Sequence, residues 1–108
     1  MPEFAKKRRF PRIASQILVR LQRLDEGGVG ELFTTRTIGL GGCMVVQERS
    51  LGTGVPVRLV FCLGDDVVEA KGRSLYELVR KDGCFDVGIE FTELPSETRA
   101  ALDHLFAK

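Results

Sequence analysis

The sequence predicts a mainly β domain: a small antiparallel barrel or sandwich of about six strands, followed by one C-terminal α-helix. Three observations lead there. Twelve glycines divide the 108 residues into short segments. Those segments are rich in Val, Leu, Ile and Phe, and turn residues separate them about every 8–12 positions, as in small all-β domains. Only the last dozen residues change to helical spacing.

The elements follow in order. Ile17-Leu18-Val19-Arg20-Leu21 has strand character and runs into the turn Asp25-Glu26-Gly27-Gly28. Glu31 to Ile38 alternates weakly, and Cys43-Met44-Val45-Val46 follows a glycine-rich bend. Val55 to Leu63 is rich in Val, Leu and Phe, and its run Leu59 to Leu63 suits a buried strand. Gly64-Asp65-Asp66 reads as a hairpin turn into a strand from Val67 to Leu78. Lys81-Asp82-Gly83 contains Asp-Gly, a strong hairpin signal. Phe85, Val87, Ile89 and Phe91 alternate cleanly and should line one face of the last strand. Pro95-Ser96 then offers a stop and an N-cap, with Glu97 placed for the first turn. Thr98, Ala101, Leu102, Leu105 and Phe106 make a narrow apolar stripe for docking on a sheet.

Composition excludes several classes. Hydrophobic residues make up 44% of the chain, enough for a core. The longest apolar run, Leu59 to Leu63, is far below the roughly 18 residues of a membrane-spanning helix. The basic N-terminus is followed by no apolar stretch of the secretory kind. Cys43, Cys62 and Cys84 lie in no CxxC spacing, and His104 is the sole histidine, which argues against a zinc site or a disulfide scaffold. The thiols read as small core residues in a reducing cytoplasm. No nucleophile, metalloprotease or dinucleotide motif is present, so neither an enzyme nor a cofactor is expected.

Charge carries more information in its division than in its sum. The net charge is +1, but residues 1–12 hold five basic groups against Glu3, a net of +4. The remaining residues hold 11 basic and 14 acidic groups, a net of −3. Residues 1–12 therefore read as a basic arm and residues 13–108 as the folded body, its helix at about 96–107. The arm reads Lys6-Lys7-Arg8-Arg9-Phe10-Pro11-Arg12. Arginine forks grip phosphates or the O6/N7 edge of guanine with paired hydrogen bonds. Arg8 and Arg12 on an extended strand would share a face about 13 Å apart. The alternative reading of the arm is a solvated polybasic tail. The acidic body and the scarcity of aromatics near the arm argue against a nucleic-acid polymer as partner.

Taken together, the chain from about Lys7 to Phe106 resembles the PilZ domain family, bacterial receptors for cyclic di-GMP. The family opens with RxxxR, matched by Arg8 and Arg12 in Arg8-Arg9-Phe10-Pro11-Arg12. Its second motif, [D/N]xSxxG, aligns with Thr37-Ile38-Gly39-Leu40-Gly41-Gly42, and Gly88-Ile89-Glu90-Phe91, Leu94 and a helix resemble its ending. The resemblance implies a six-stranded antiparallel β-barrel with a C-terminal helix. It implies a ligand site of Arg8, Arg9, Arg12, Thr37, Gly39 and Gly42, with signalling through an unidentified partner protein. Thr37 stands where the family has Asp or Asn, Gly39 where it has Ser, and only Gly42 matches. Two lost polar contacts at about 1–3 kcal/mol each correspond to a fall in affinity on the order of a hundredfold or more. The alternative implied is a degenerate PilZ domain that works by protein contacts without the nucleotide.

Overall fold

The computed structural model describes residues 12–14 and 16–106. They form β1 (Arg12–Ala14), β2 (Leu18–Arg23), β3 (Glu31–Gly39), β4 (Gly42–Gln47), β5 (Pro56–Leu63), β6 (Asp66–Val79), β7 (Phe85–Glu93) and α1 (Ser96–Phe106). Strands β2 to β7 close a six-stranded antiparallel barrel in the order β3-β2-β5-β6-β7-β4, with β4 returning to pair with β3. The expected six strands and terminal helix are therefore present. The short β1 continues the line of β2 along the same side of β3: Ala14 lies opposite Thr37 and Leu18 opposite Thr34.

Local sequence explains the turns. Leu63 pairs with Asp66, which leaves Gly64-Asp65 as a two-residue hairpin loop. Gly64 has φ +65°, the conformation a type II′ turn requires at its first central position. At the β6–β7 turn the Gly83 N–H donates to the Arg80 carbonyl (3.1 Å), and the Asp82 carboxylate accepts from the Cys84 N–H (2.9 Å). Gly83 sits at φ +87°, which a side chain would strain.

Period-two alternation then fills the barrel. Val57, Leu59 and Phe61 of β5, Val68 and Ala70 of β6, and Val87 and Ile89 of β7 are buried. Phe61 meets Phe91 edge-to-face, with ring centroids 5.9 Å apart. The helix closes one end: Leu102 and Thr98 are fully buried, and the Thr98 hydroxyl donates to the Glu69 carbonyl at 2.6 Å. Its first backbone bond runs from the Arg99 N–H to the Pro95 carbonyl, so the cap lies at Pro95, one residue before the expected Ser96. Among the three thiols only Cys43 is a core residue. Cys62 is exposed because its neighbour Phe61 takes the inward position on β5, and Cys84 lies half-buried after the β6–β7 turn. No helix among the described residues is long and apolar enough to cross a membrane.

At the barrel end away from α1, Glu77 of β6 ties down the β4–β5 connection. Its carboxylate accepts from the Ser50 hydroxyl (2.6 Å) and from the N–H groups of Leu51 and Gly52. Burial pushes this carboxyl up, but the hydrogen bonds from Ser50, Gly52 and Leu51 outweigh it and hold the group below its ordinary value. The clamp keeps Leu51 packed in the core.

Candidate functional site

The second half of β3 positions the residues singled out by the sequence. Phe33 and Thr35 face the interior of the barrel, and then the register with β4 shifts between Thr35 and Thr37. Arg36 is the extra residue of this bulge, and it reverses the alternation that follows. Ile38 is now the inward residue, fully buried, so Thr37 and Gly39 belong to the outer face. Thr35 anchors the bend: its N–H donates to the Ile17 carbonyl (2.9 Å), and its hydroxyl accepts from the Ile17 N–H (3.1 Å).

Residues 37–39 are flanked on both sides. On one side Arg12, Ile13 and Ala14 of β1 lie opposite Gly39, Ile38 and Thr37. On the other, Cys43 and Met44 of β4 lie opposite Ile38 and Thr37. The structure thus brings the backbone of Arg12 beside Gly39 and within one strand of Thr37. Arg8 and Arg9 lie outside the described residues. The Thr37 hydroxyl is buried, and it has no hydrogen-bond partner among the described residues. A buried polar atom of this kind is costly unless something satisfies it.

Gly42 has a structural reason of its own. A Cβ there would overlap the Ile89 carbonyl oxygen of β7, and Gly41 accepts a hydrogen bond from the Phe91 N–H (2.9 Å). The close approach of β4 to β7 therefore requires glycine whether or not a ligand is present. Beside it, Glu90 of β7 lies opposite Gly42 and forms an ion pair with Arg73 at 3.4 Å. This pair was not singled out from the sequence, because its members are 17 residues apart and meet only through the β6–β7 ladder. Arg73 partly offsets a carboxylate that would otherwise repel an anion.

The region presents an outer strand face, a buried hydroxyl without a partner among the described residues, glycine backbone and the strand that carries Arg12. Among the described residues no group of three or more His, Cys, Asp and Glu side chains could hold a metal ion. A groove of about 870 Å³ lies elsewhere, between α1, residues 16–18 and the β5–β6 hairpin, and none of the predicted site residues lines it.

Comparison with known proteins agrees with this architecture. The chain matches the PilZ domain family over residues 6–108. No curated protein sequence matches it. Among solved structures it is similar to the Bacillus subtilis inhibitor of motility MotI/DgrA, with TM-score 0.77, 18% identity, 93% of this chain and 50% of that one covered. It is also similar to the PilZ domain of Escherichia coli YcgR, solved with c-di-GMP, with TM-score 0.70, 14% identity and 94% and 90% covered. A third similar structure is the K. pneumonia MrkH–c-di-GMP complex, with TM-score 0.72, 16% identity and 93% and 51% covered. The chain spans about half the length of MotI and MrkH. By its fold and by the family match across nearly all its residues, the chain belongs to the PilZ domain family.

Proposed function

We propose that this domain is a non-catalytic receptor and adaptor module that binds cyclic di-GMP in the cytoplasm and passes the signal to a partner protein. Arg8 and Arg12 grip guanine edges and phosphates with forked, charge-assisted hydrogen bonds, and Arg9 assists. Thr37 offers its hydroxyl, and Gly39 and Gly42 admit close approach of the ligand. Binding changes the conformation of the arm, and with it the surface offered to the partner. The observation that carries this reading is the register of β1 on β3. It sets the last arginine of RxxxR opposite Gly39 and two strand positions from Thr37, whose hydroxyl has no partner among the described residues. The family match, and similarity to structures solved with c-di-GMP, support the choice of ligand.

Isothermal titration of the whole chain with cyclic di-GMP tests it. Saturable heat is expected, weaker than for a domain with the full second motif. Folded protein that gives no heat up to about millimolar ligand would exclude the proposal.

A second reading is favoured by one observation. Gly42, the sole residue that keeps the family's second motif, is required by the Ile89 carbonyl of its own barrel. On that reading the domain is a degenerate PilZ module that acts by protein–protein contact alone. It predicts that Arg8→Ala with Arg12→Ala leaves signalling intact in cells, and loss of signalling with the fold preserved would count against it.

A further inference from the structure

The opposite half of β3 carries an unfinished strand edge. Pairing between β3 and β4 stops at Thr35 opposite Val45. Beyond it, among the described residues, β3 is bonded to β2 only, through Glu31 to Thr34, and β4 to β7 only, through Val46 and Gln47. The two strands separate around a cavity of about 420 Å³ lined by Glu31, Leu32, Phe33, Val46, Gln47 and Arg49, among others. A second cavity of about 380 Å³ shares Glu31, Phe33 and Gln47.

Two sets of hydrogen-bonding groups converge there without partners among the described residues. Gln47 is 7% exposed, and its side-chain nitrogen is buried with no acceptor among the described residues. Leu32 supplies the other set. The Thr35 N–H bonds toward β2, so strand alternation turns the Leu32 N–H and carbonyl away from β2, toward the gap. No β4 residue is registered opposite Leu32 to receive them. An amide donor beside an open main-chain donor and acceptor is suited to another polypeptide backbone. Exposed edges of this kind add strands from a partner. The charges narrow the choice: Glu31 and Glu48 face the gap with Arg49, and none of the three is in an ion pair among the described residues.

We infer that the gap between the Glu31 end of β3 and the Gln47 end of β4 docks an extended, lysine-bearing peptide segment of a partner protein. The segment pairs with the main chain of Leu32, presents a carbonyl to the Gln47 side-chain nitrogen and sets its ammonium near Glu31 and Glu48. This docking goes beyond the nucleotide reading and does not depend on it.

The test is an amide NMR titration of the whole chain with capped hexapeptides that alternate Val with Thr or Lys. The expected result is a saturable shift of the Leu32 backbone and Gln47 side-chain signals. Peptides N-methylated at alternate residues should lose this effect, as should Lys→Glu peptides. Gln47→Leu and, separately, Leu32→Pro should each weaken binding at least tenfold while the other barrel signals stay in place. Two different variants are used so that misfolding of one leaves the other informative. The inference is overturned if no peptide moves those two signals. Equal binding by N-methylated peptides would also overturn it. So would the same shifts produced by protein concentration alone, since the occupant would then be a second copy of this chain. Cyclic di-GMP added to the same samples reads the Thr37–Gly39 region separately, so failure of one proposal leaves the other standing.

Discussion

The two ends of β3 differ in how their edges are used. At the Gly39 end, β1 pairs with residues 37–39 and β4 pairs with two of them, Thr37 and Ile38, yet the Thr37 hydroxyl has no partner among the described residues. At the Glu31 end only β2 is bonded among the described residues, and the opposite edge opens onto a cavity where the Gln47 amide nitrogen has no acceptor among them. The barrel therefore closes its β3–β4 seam through three registered pairs, where β5–β6 and β6–β7 each have eight. A seam closed at one end and open at the other can carry two distinct surfaces on one strand. A change bound at the Gly39 end lies along the same strand as the gap.

The largest predicted effect breaks both ends together. Phe61 is fully buried inside the barrel and packs edge-on against Phe91, so Phe61→Ala should destabilise the domain by about 3–5 kcal/mol. Urea unfolding measures this, and a loss below about 1 kcal/mol would mean that the core is not the shared support of the two ends. Next comes the arm. Arg8→Ala with Arg12→Ala should reduce cyclic di-GMP affinity on the order of a hundredfold, about 2.7 kcal/mol, while peptide docking at the gap stays unchanged. Parallel titrations separate the two, and an equal loss of both would remove the division between the ends.

Gly42→Ala should cost about 1–3 kcal/mol by forcing β4 away from the Ile89 carbonyl, with or without nucleotide. If thermal unfolding of the ligand-free variant is unchanged, the close approach is not what requires glycine there. The smallest effect concerns the Glu77 clamp beside the open end. The folded carboxyl titrates lower than it does when unfolded, so its contribution to stability is present above the ordinary value of 4.5 and is lost as pH falls through the lower folded value. Glu77→Gln should flatten that part of the stability–pH curve, and a curve identical to that of the unmutated chain would contradict the assignment.

Much of this was legible in the sequence because it depends on local patterns. Phe85 to Phe91 keeps strict alternation, Gly64 and Gly83 mark their turns, and the stripe from Thr98 to Phe106 marks the helix face. Glu31 to Ile38 alternated only weakly, and the bulge at Arg36 is the reason: one extra residue exchanges the two faces midway. The short β1 could not be read because its three residues derive their conformation from a partner some 25 positions away. Site legibility was divided in the same manner. RxxxR and the glycine-rich stretch were visible as motifs, and their adjacency at Arg12 and Gly39 came from the ladder. The packing demand on Gly42 and the isolation of the Gln47 amide depend on β7 and on the end of β3–β4 pairing, neither of which has a local signature. Even so, Cys43, Val45 and Gln47 share a face at period two, so the inward placement of Gln47 could have been read from β4 alone.

The most direct test of this division is a residue-resolved amide NMR titration of the whole chain with cyclic di-GMP. The predicted result is a saturable shift of Thr37, Ile38 and Gly39, while the Gln47 side-chain signal stays in place. Folded protein that gives no shift at Thr37 to Gly39 up to about millimolar nucleotide, or shifts confined to Leu32 and Gln47, would contradict it.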